Sequence, residues 1–201
     1  MSSRSAIVLL LGINLLTGGC DKQSAAPEQA NTSAPADSPA ADEVTAAPAP
    51  ATPPAAGTLD RSHKGETAPM VAFEAPDGKS VTIASFRGKP LLLNLWATWC
   101  GPCVAEMPTL DAAAKSLAGK VQVIAVSQDL EGKAKVAPFF AARGFSTLQP
   151  YLDPKIALST TYGANLPTTI LYDPAGKEVW RMTGGYEWNT PAAATLIGEA
   201  R

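Results

Sequence analysis

Cys100 and Cys103 are separated by Gly101 and Pro102 in the string Trp99-Cys100-Gly101-Pro102-Cys103. Two thiols at this spacing can exchange disulfides, supply half of a metal knuckle, or close a small structural loop. A tetrahedral zinc knuckle needs two further Cys or His ligands. The third cysteine, Cys20, and the single histidine, His63, both lie far upstream. A structural disulfide across two residues removes little chain entropy. Thiol–disulfide exchange is the reading that remains, and its attacking species is a thiolate.

The flanking sequence supplies what a thiolate needs. Pro90 to Ala97 (PLLLNLWA) is a near-continuous apolar run, expected as a buried central strand, and residues 101–118 read as a helix. Cys100 then sits where a strand ends and a helix begins. The unpaired N–H groups and positive dipole end of a first helical turn stabilise an anion and lower a thiol's pKa from about 8.5 to roughly 3.5–7.5. Cys100 is thus expected as the nucleophile. Cys103, in the same turn, resolves the mixed disulfide. Pro102 costs no helix hydrogen bond there, because first-turn N–H groups have no intrahelical partner. Glu106 follows Cys103 by three residues and shares its helix face. It either assists the second thiol or is an exposed glutamate near a positive helix end. Pro108 should kink the helix.

The other elements follow from periodicity and turn chemistry. Val71–Glu74 and Ser80–Ile83 flank Asp77-Gly78, a hairpin signal. Val121–Ser127 reads as a second buried strand, and Glu131–Arg143 as a helix stopped by Gly144. A short helix over 154–162 precedes strands at Thr168–Tyr172 and Glu178–Met182, joined by the Pro174-Ala175-Gly176 turn. Pro191–Ala200 reads as the last helix, capped by Thr190. Ser127, Gln128 and Asp129 end a strand where ligands often bind, a weak signal. Phe139, Phe140 and Phe145 are expected in the core. Strands alternating with helices, then a terminal hairpin, indicate an α/β fold with a mixed sheet.

The 201-residue chain carries 16 Lys and Arg against 18 Asp and Glu, a formal charge of −2. Without a basic excess, nucleic acid is a poor partner. Ala6 to Leu16 is apolar after Arg4 apart from Gly12 and Asn14, about 16 Å as a helix, which is too short to span a bilayer and suits a signal peptide. It ends in Leu16-Thr17-Gly18-Gly19-Cys20, which resembles a bacterial lipoprotein signal, although Thr17 stands where leucine is usual. That resemblance implies cleavage after residue 19 and a lipid on Cys20. Asp21 next to it implies retention in the inner membrane. Residues 20–66, rich in Ala and Pro and without aromatics, read as a disordered tether in which His63 has no fixed geometry. The folded domain is expected over 67–201.

The string GKPLLLNLWATWCGPCVAEMPTL, with Gly163-Ala164-Asn165-Leu166-Pro167-Thr168-Thr169, resembles the thioredoxin superfamily and within it the TlpA/ResA-type membrane-anchored thiol–disulfide oxidoreductases. The resemblance implies a thioredoxin-like fold: a central mixed β-sheet flanked by helices, an N-terminal β-hairpin and an inserted strand–helix unit. It also implies that Pro167 is a cis-proline facing the dithiol, leaving Leu166 to pair with a substrate strand. Trp96 and Trp99 match tryptophans beside the site, the first also readable as core and the second as surface cover. Asn94 stands where thioredoxin has a buried aspartate, so that carboxylate is missing. Glu106 matches a glutamate thought to move the proton of the second cysteine.

By the same resemblance the protein needs no cofactor beyond its redox-active Cys100–Cys103 disulfide. Trp99, Gly101, Pro102 and Leu166 bind substrate. Protein disulfides are the partners, as in cytochrome c or cytochrome oxidase copper-site assembly. Electrons come from an inner-membrane transporter of the DsbD or CcdA kind, and the monomeric protein faces the periplasm on its lipid anchor. Gly101-Pro102 favours reduction over oxidation. Two other readings stand beside this one: a peroxiredoxin-like peroxidase, and a copper-binding assembly chaperone using the two thiols.

Overall fold

A computed structural model of the chain describes residues 57–200. Eight strands form one mixed sheet: β1 Thr58–Asp60, β2 Ala72–Glu74, β3 Ser80–Thr82, β4 Leu91–Trp96, β5 Gln122–Ser127, β6 Pro150–Leu152, β7 Thr168–Tyr172 and β8 Glu178–Thr183. Their spatial order is β1-β8-β7-β4-β5-β6-β2-β3. The central β4 runs parallel to β5 and antiparallel to β7. Four helices pack on the sheet: α1 Gly101–Ser116, α2 Lys133–Arg143, α3 Ala157–Tyr162 and α4 Pro191–Ile197.

All six residues of β4 are buried, as its unbroken apolar run requires. Its side chains still alternate between faces. Leu92 and Trp96 join Cys103, Met107, Leu110, Val136, Ala193 and Ile197 in the core beneath α1, α2 and α4. Leu91, Leu93 and Leu95 join Phe73, Ile83, Leu158 and Ile170 on the opposite face, beneath the hairpin and α3. Asn94 lies between Leu92 and Trp96 in this alternation, so it is the one polar β4 side chain aimed at the α1 face. The expected elements are present. Between β5 and β7 the chain passes through α2, β6 and α3, so a strand and a helix are present there beyond a single crossover helix. Three-residue β6 escaped the sequence pattern because it is too short to show a period and opens on Pro150.

The folded domain begins earlier than position 67. Residues 57–66 are not tether: β1 pairs antiparallel with β8, matching Leu59 to Met182. Gly65 N–H donates to the Glu178 carbonyl, and Glu178 N–H to that of Glu66. A short edge strand in an Ala/Pro-rich stretch gives no periodic signal. Its position requires a glycine: a Cβ on Gly57 would lie 2.8 Å from the Gly184 carbonyl oxygen and 2.9 Å from Met182. His63 therefore has fixed geometry, with Nδ1 3.1 Å from Glu66 Oε1. The signal sequence and Cys20 lie outside the described residues.

Candidate active site

Cys100 is the N-cap of α1, and its Sγ accepts the Cys103 N–H at 3.3 Å. The two sulfurs are joined in a disulfide. Gly101 and Pro102 form the exposed first turn, where a missing proline N–H costs nothing. Cys103 is fully buried, whereas Cys100 keeps 7% of its surface. Of the two sulfur-bearing residues, only Cys100 is open to solvent. Trp99 is 70% exposed, while Trp96 is buried against Phe139 and Phe140.

The loop before the dithiol is held from β5. Asp129 accepts the Thr98 N–H at 3.0 Å and the Thr98 hydroxyl at 2.6 Å, and the Ser127 hydroxyl bonds the same carboxylate at 2.7 Å. Gln128 N–H reaches the Trp96 carbonyl at 2.8 Å, and its side chain accepts from Ser159. The weak strand-end signal at 127–129 thus marks a support for the Cys100 loop.

Glu106 is buried on α1, one turn beyond Cys103 and on the same face. Its Oε1 accepts from Asn94 Nδ2 at 2.8 Å, and its Oε2 from the Tyr186 N–H at 2.9 Å and Trp188 Nε1 at 3.3 Å. Burial raises its pKa to about 7; the donors on Tyr186, Asn94 and Trp188 pull the other way and offset part of that rise. Asn94 also donates to Thr169 Oγ1 at 2.9 Å. Trp188 and Tyr186 had no sequence signal, being about 80 residues from Glu106. Asn94 had one, its place in the β4 alternation, and the structure makes it a partner of Glu106.

Pro167 precedes β7, whose Thr168 lies opposite Leu95 of β4, so Pro167 stands at the dithiol end of the sheet. The Leu166–Pro167 peptide is cis. Pro167 is buried and Leu166 half-buried. Among the described residues no hydrogen bond engages the Leu166 backbone. The Gly184 N–H donates to the Pro167 carbonyl at 2.8 Å, which puts the Gly184-Gly185 pair beside this proline.

The Redoxin family model matches residues 63–197. The chain belongs to the Redoxin family. The match covers the hairpin, the dithiol helix and Pro167. The chain is 32% identical over 124 residues to the thiol-disulfide oxidoreductase ResA of Bacillus subtilis, spanning 60% of this chain and 68% of ResA. A solved structure assigned as the thiol:disulfide interchange protein DsbE of Chlorobium tepidum superposes with a TM-score of 0.61 at 29% identity, covering 68% of this chain and 96% of that one. The exposed lipoprotein thioredoxin Etrx1 of Streptococcus pneumoniae gives 0.55 at 27% identity, over 64% and 98%. With a Cys-X-X-Cys disulfide at a helix start, this Redoxin-family chain is a thiol–disulfide oxidoreductase whose redox centre is its own cysteine pair.

Proposed function

We propose that the protein is a reductase of protein disulfides, anchored by a lipid on Cys20 and facing the periplasm. The Cys100 thiolate attacks one sulfur of a substrate disulfide. A Cys100–substrate bond forms, and the second substrate sulfur leaves as a thiolate and takes up a proton. Cys103 then loses its proton to the Glu106 carboxylate and attacks Cys100, breaking the Cys100–substrate bond; the first substrate sulfur leaves as a thiolate and takes up the second proton. The substrate gains two electrons and two protons, and the protein ends as the Cys100–Cys103 disulfide. A dithiol donor of the DsbD or CcdA kind returns it to the reduced form. In this reading Pro167 and the free Leu166 backbone, at the dithiol end of the sheet, receive the substrate strand, and Trp99, Gly101 and Pro102 contact it.

The observation that carries this reading is the pairing of a barely exposed Cys100 with a fully buried Cys103 that shares a helix face with Glu106. The order is a reactive sulfur outside and a resolving sulfur inside, with a proton acceptor whose pKa is near neutral. The lipid anchor rests on the Cys20 signal and on the likeness to a lipoprotein thioredoxin. The setting in this reading, cytochrome c or oxidase copper-site assembly, follows from the resemblance of the string around Cys100 and Cys103 to the TlpA/ResA type.

The test is trapping. Cys103→Ser is expected to accumulate mixed disulfides through Cys100, and Cys100→Ser to trap few. Equal trapping by both variants overturns the order. A redox titration against dithiothreitol fixes the direction of electron flow. Rapid peroxide consumption by the reduced protein would instead favour the peroxidase reading.

A further inference from the structure

Four large apolar side chains are exposed among the described residues, and three of them follow the C-terminal ends of adjacent strands. Trp99 follows β4, Leu130 at 67% exposure follows β5, and Ile156 at 39% follows β6. Because β4, β5 and β6 are parallel neighbours, these three loops emerge at one end of the sheet, the end that carries Cys100. The loops touch one another. Thr98, preceding Trp99, is bonded to Asp129, preceding Leu130. The turn ending at Gly132 packs on Pro154, 3.6 Å from where a Gly132 Cβ would stand, two residues before Ile156.

Ile156 adds an observation of a different kind. It has φ 47° and ψ 30°, the only left-handed residue other than glycine among those described. A β-branched side chain is strained in this conformation. Glycine or asparagine would relieve the backbone there. The side chain nevertheless leaves 39% of its surface uncovered by the domain. Strain held at an exposed apolar residue beside a reactive centre is a reason to look for what it contacts.

We propose that Leu130 and Ile156 extend the substrate site from Cys100 across β5 and β6, and that the surface binds the polypeptide of a disulfide substrate through an apolar side chain near the attacked cysteine. This rests on the reading of the dithiol as a reductase of protein disulfides. The span from the β4 loop to the β6 loop is two strand spacings, about 9–10 Å, which an extended peptide crosses in about three residues. A small disulfide reaching Cys100 has no atoms to cover that distance, whereas a polypeptide has. The free Leu166 backbone, on the β7 side of the dithiol, and the apolar pair, on its β5–β6 side, would hold one extended segment across the end of the sheet.

The probes are capped hexapeptides carrying one cysteine as its mixed disulfide with thionitrobenzoate. One set is otherwise all alanine, and the other has a leucine three residues before or after the cysteine. Cys100 of the reduced protein attacks the peptide sulfur, the peptide–thionitrobenzoate bond breaks, and the yellow thiolate leaves. The reading is the ratio of rate constants, leucine peptide over alanine peptide. A change in Cys100 reactivity affects both peptides and cancels. The wild-type ratio is expected near tenfold for one leucine position, equivalent to about 1.4 kcal/mol. It should fall toward one in Leu130→Ser and in Ile156→Asn. The melting temperature of Ile156→Asn is expected to rise, since asparagine tolerates the left-handed backbone, so activity and stability move in opposite directions. A wild-type ratio near one, or variants that keep the wild-type ratio, overturns the proposal. Failure of the reductase reading looks different: the reduced protein then reacts with both peptides no faster than free dithiothreitol does, and the docking surface falls with it.

Discussion

Asn94 Nδ2 stands 2.8 Å from Glu106 Oε1, which ties the central strand to the helix that carries both cysteines. The Asn94 Oδ1 atom is buried without a partner among the described residues. An amide can turn over and offer a donor or an acceptor. With Nδ2 toward Glu106 it serves the carboxylate, and with Oδ1 toward Glu106 it would accept from the protonated acid. Asn94 can therefore hold Glu106 in either protonation state, which an aspartate at the same place could not do without charge repulsion.

The rate of resolution should depend on this pair. Glu106 acts as a base only when ionised, so release of the mixed disulfide is expected to accelerate as pH rises through about 7. Glu106→Gln removes the acceptor and should slow release about 10²–10⁴-fold, with loss of that inflection. Asn94→Asp faces Glu106 with a second carboxylate, raises the pKa of the pair, and should move the inflection upward. Stopped-flow pH–rate profiles of the three proteins provide the check. Superimposable profiles would remove Glu106 from the proton path.

Stability should carry the opposite signature. The folded protein holds Glu106 with a pKa raised from 4.5 to about 7, so between these values it binds more protons than the unfolded chain. Stability from this group is fully present below about pH 4.5 and is lost as pH rises to about 7, in total about 3 kcal/mol. Glu106→Gln cannot ionise. It is expected to be more stable than wild type at pH 8, with the difference shrinking toward pH 4. Urea midpoints at the two pH values test the sign, and a wild-type advantage that grows with pH would contradict it.

Gly57→Ala tests the early start of the domain. The added Cβ meets the Gly184 carbonyl oxygen and Met182 below 3 Å, so β1 must shift from β8. A loss of about 1–3 kcal/mol is expected, as for overpacking elsewhere in a close-packed protein. Hydrogen exchange should show weakened protection at Leu59 and Met182. Unchanged stability and exchange would return residues 57–66 to the tether.

The dithiol, its position at a helix start and the sheet-forming runs were legible in the chain itself. Each depends on local spacing: two thiols within one turn, an apolar run long enough for a strand, a capping residue before a helix. The shared face of Cys103 and Glu106 was legible for the same reason, since helical periodicity puts i and i+3 together. What surrounds Glu106 was not. Trp188 and Tyr186 reach it from beyond β8, and only the packing of that segment on α1 turns an ordinary helix glutamate into a buried acid with a pKa near 7. β1 was hidden because an edge strand of three residues is chosen by its partner β8 rather than by its own composition. Leu130 and Ile156 are ordinary residues in the chain. They become a surface beside Cys100 only because three parallel strands end together.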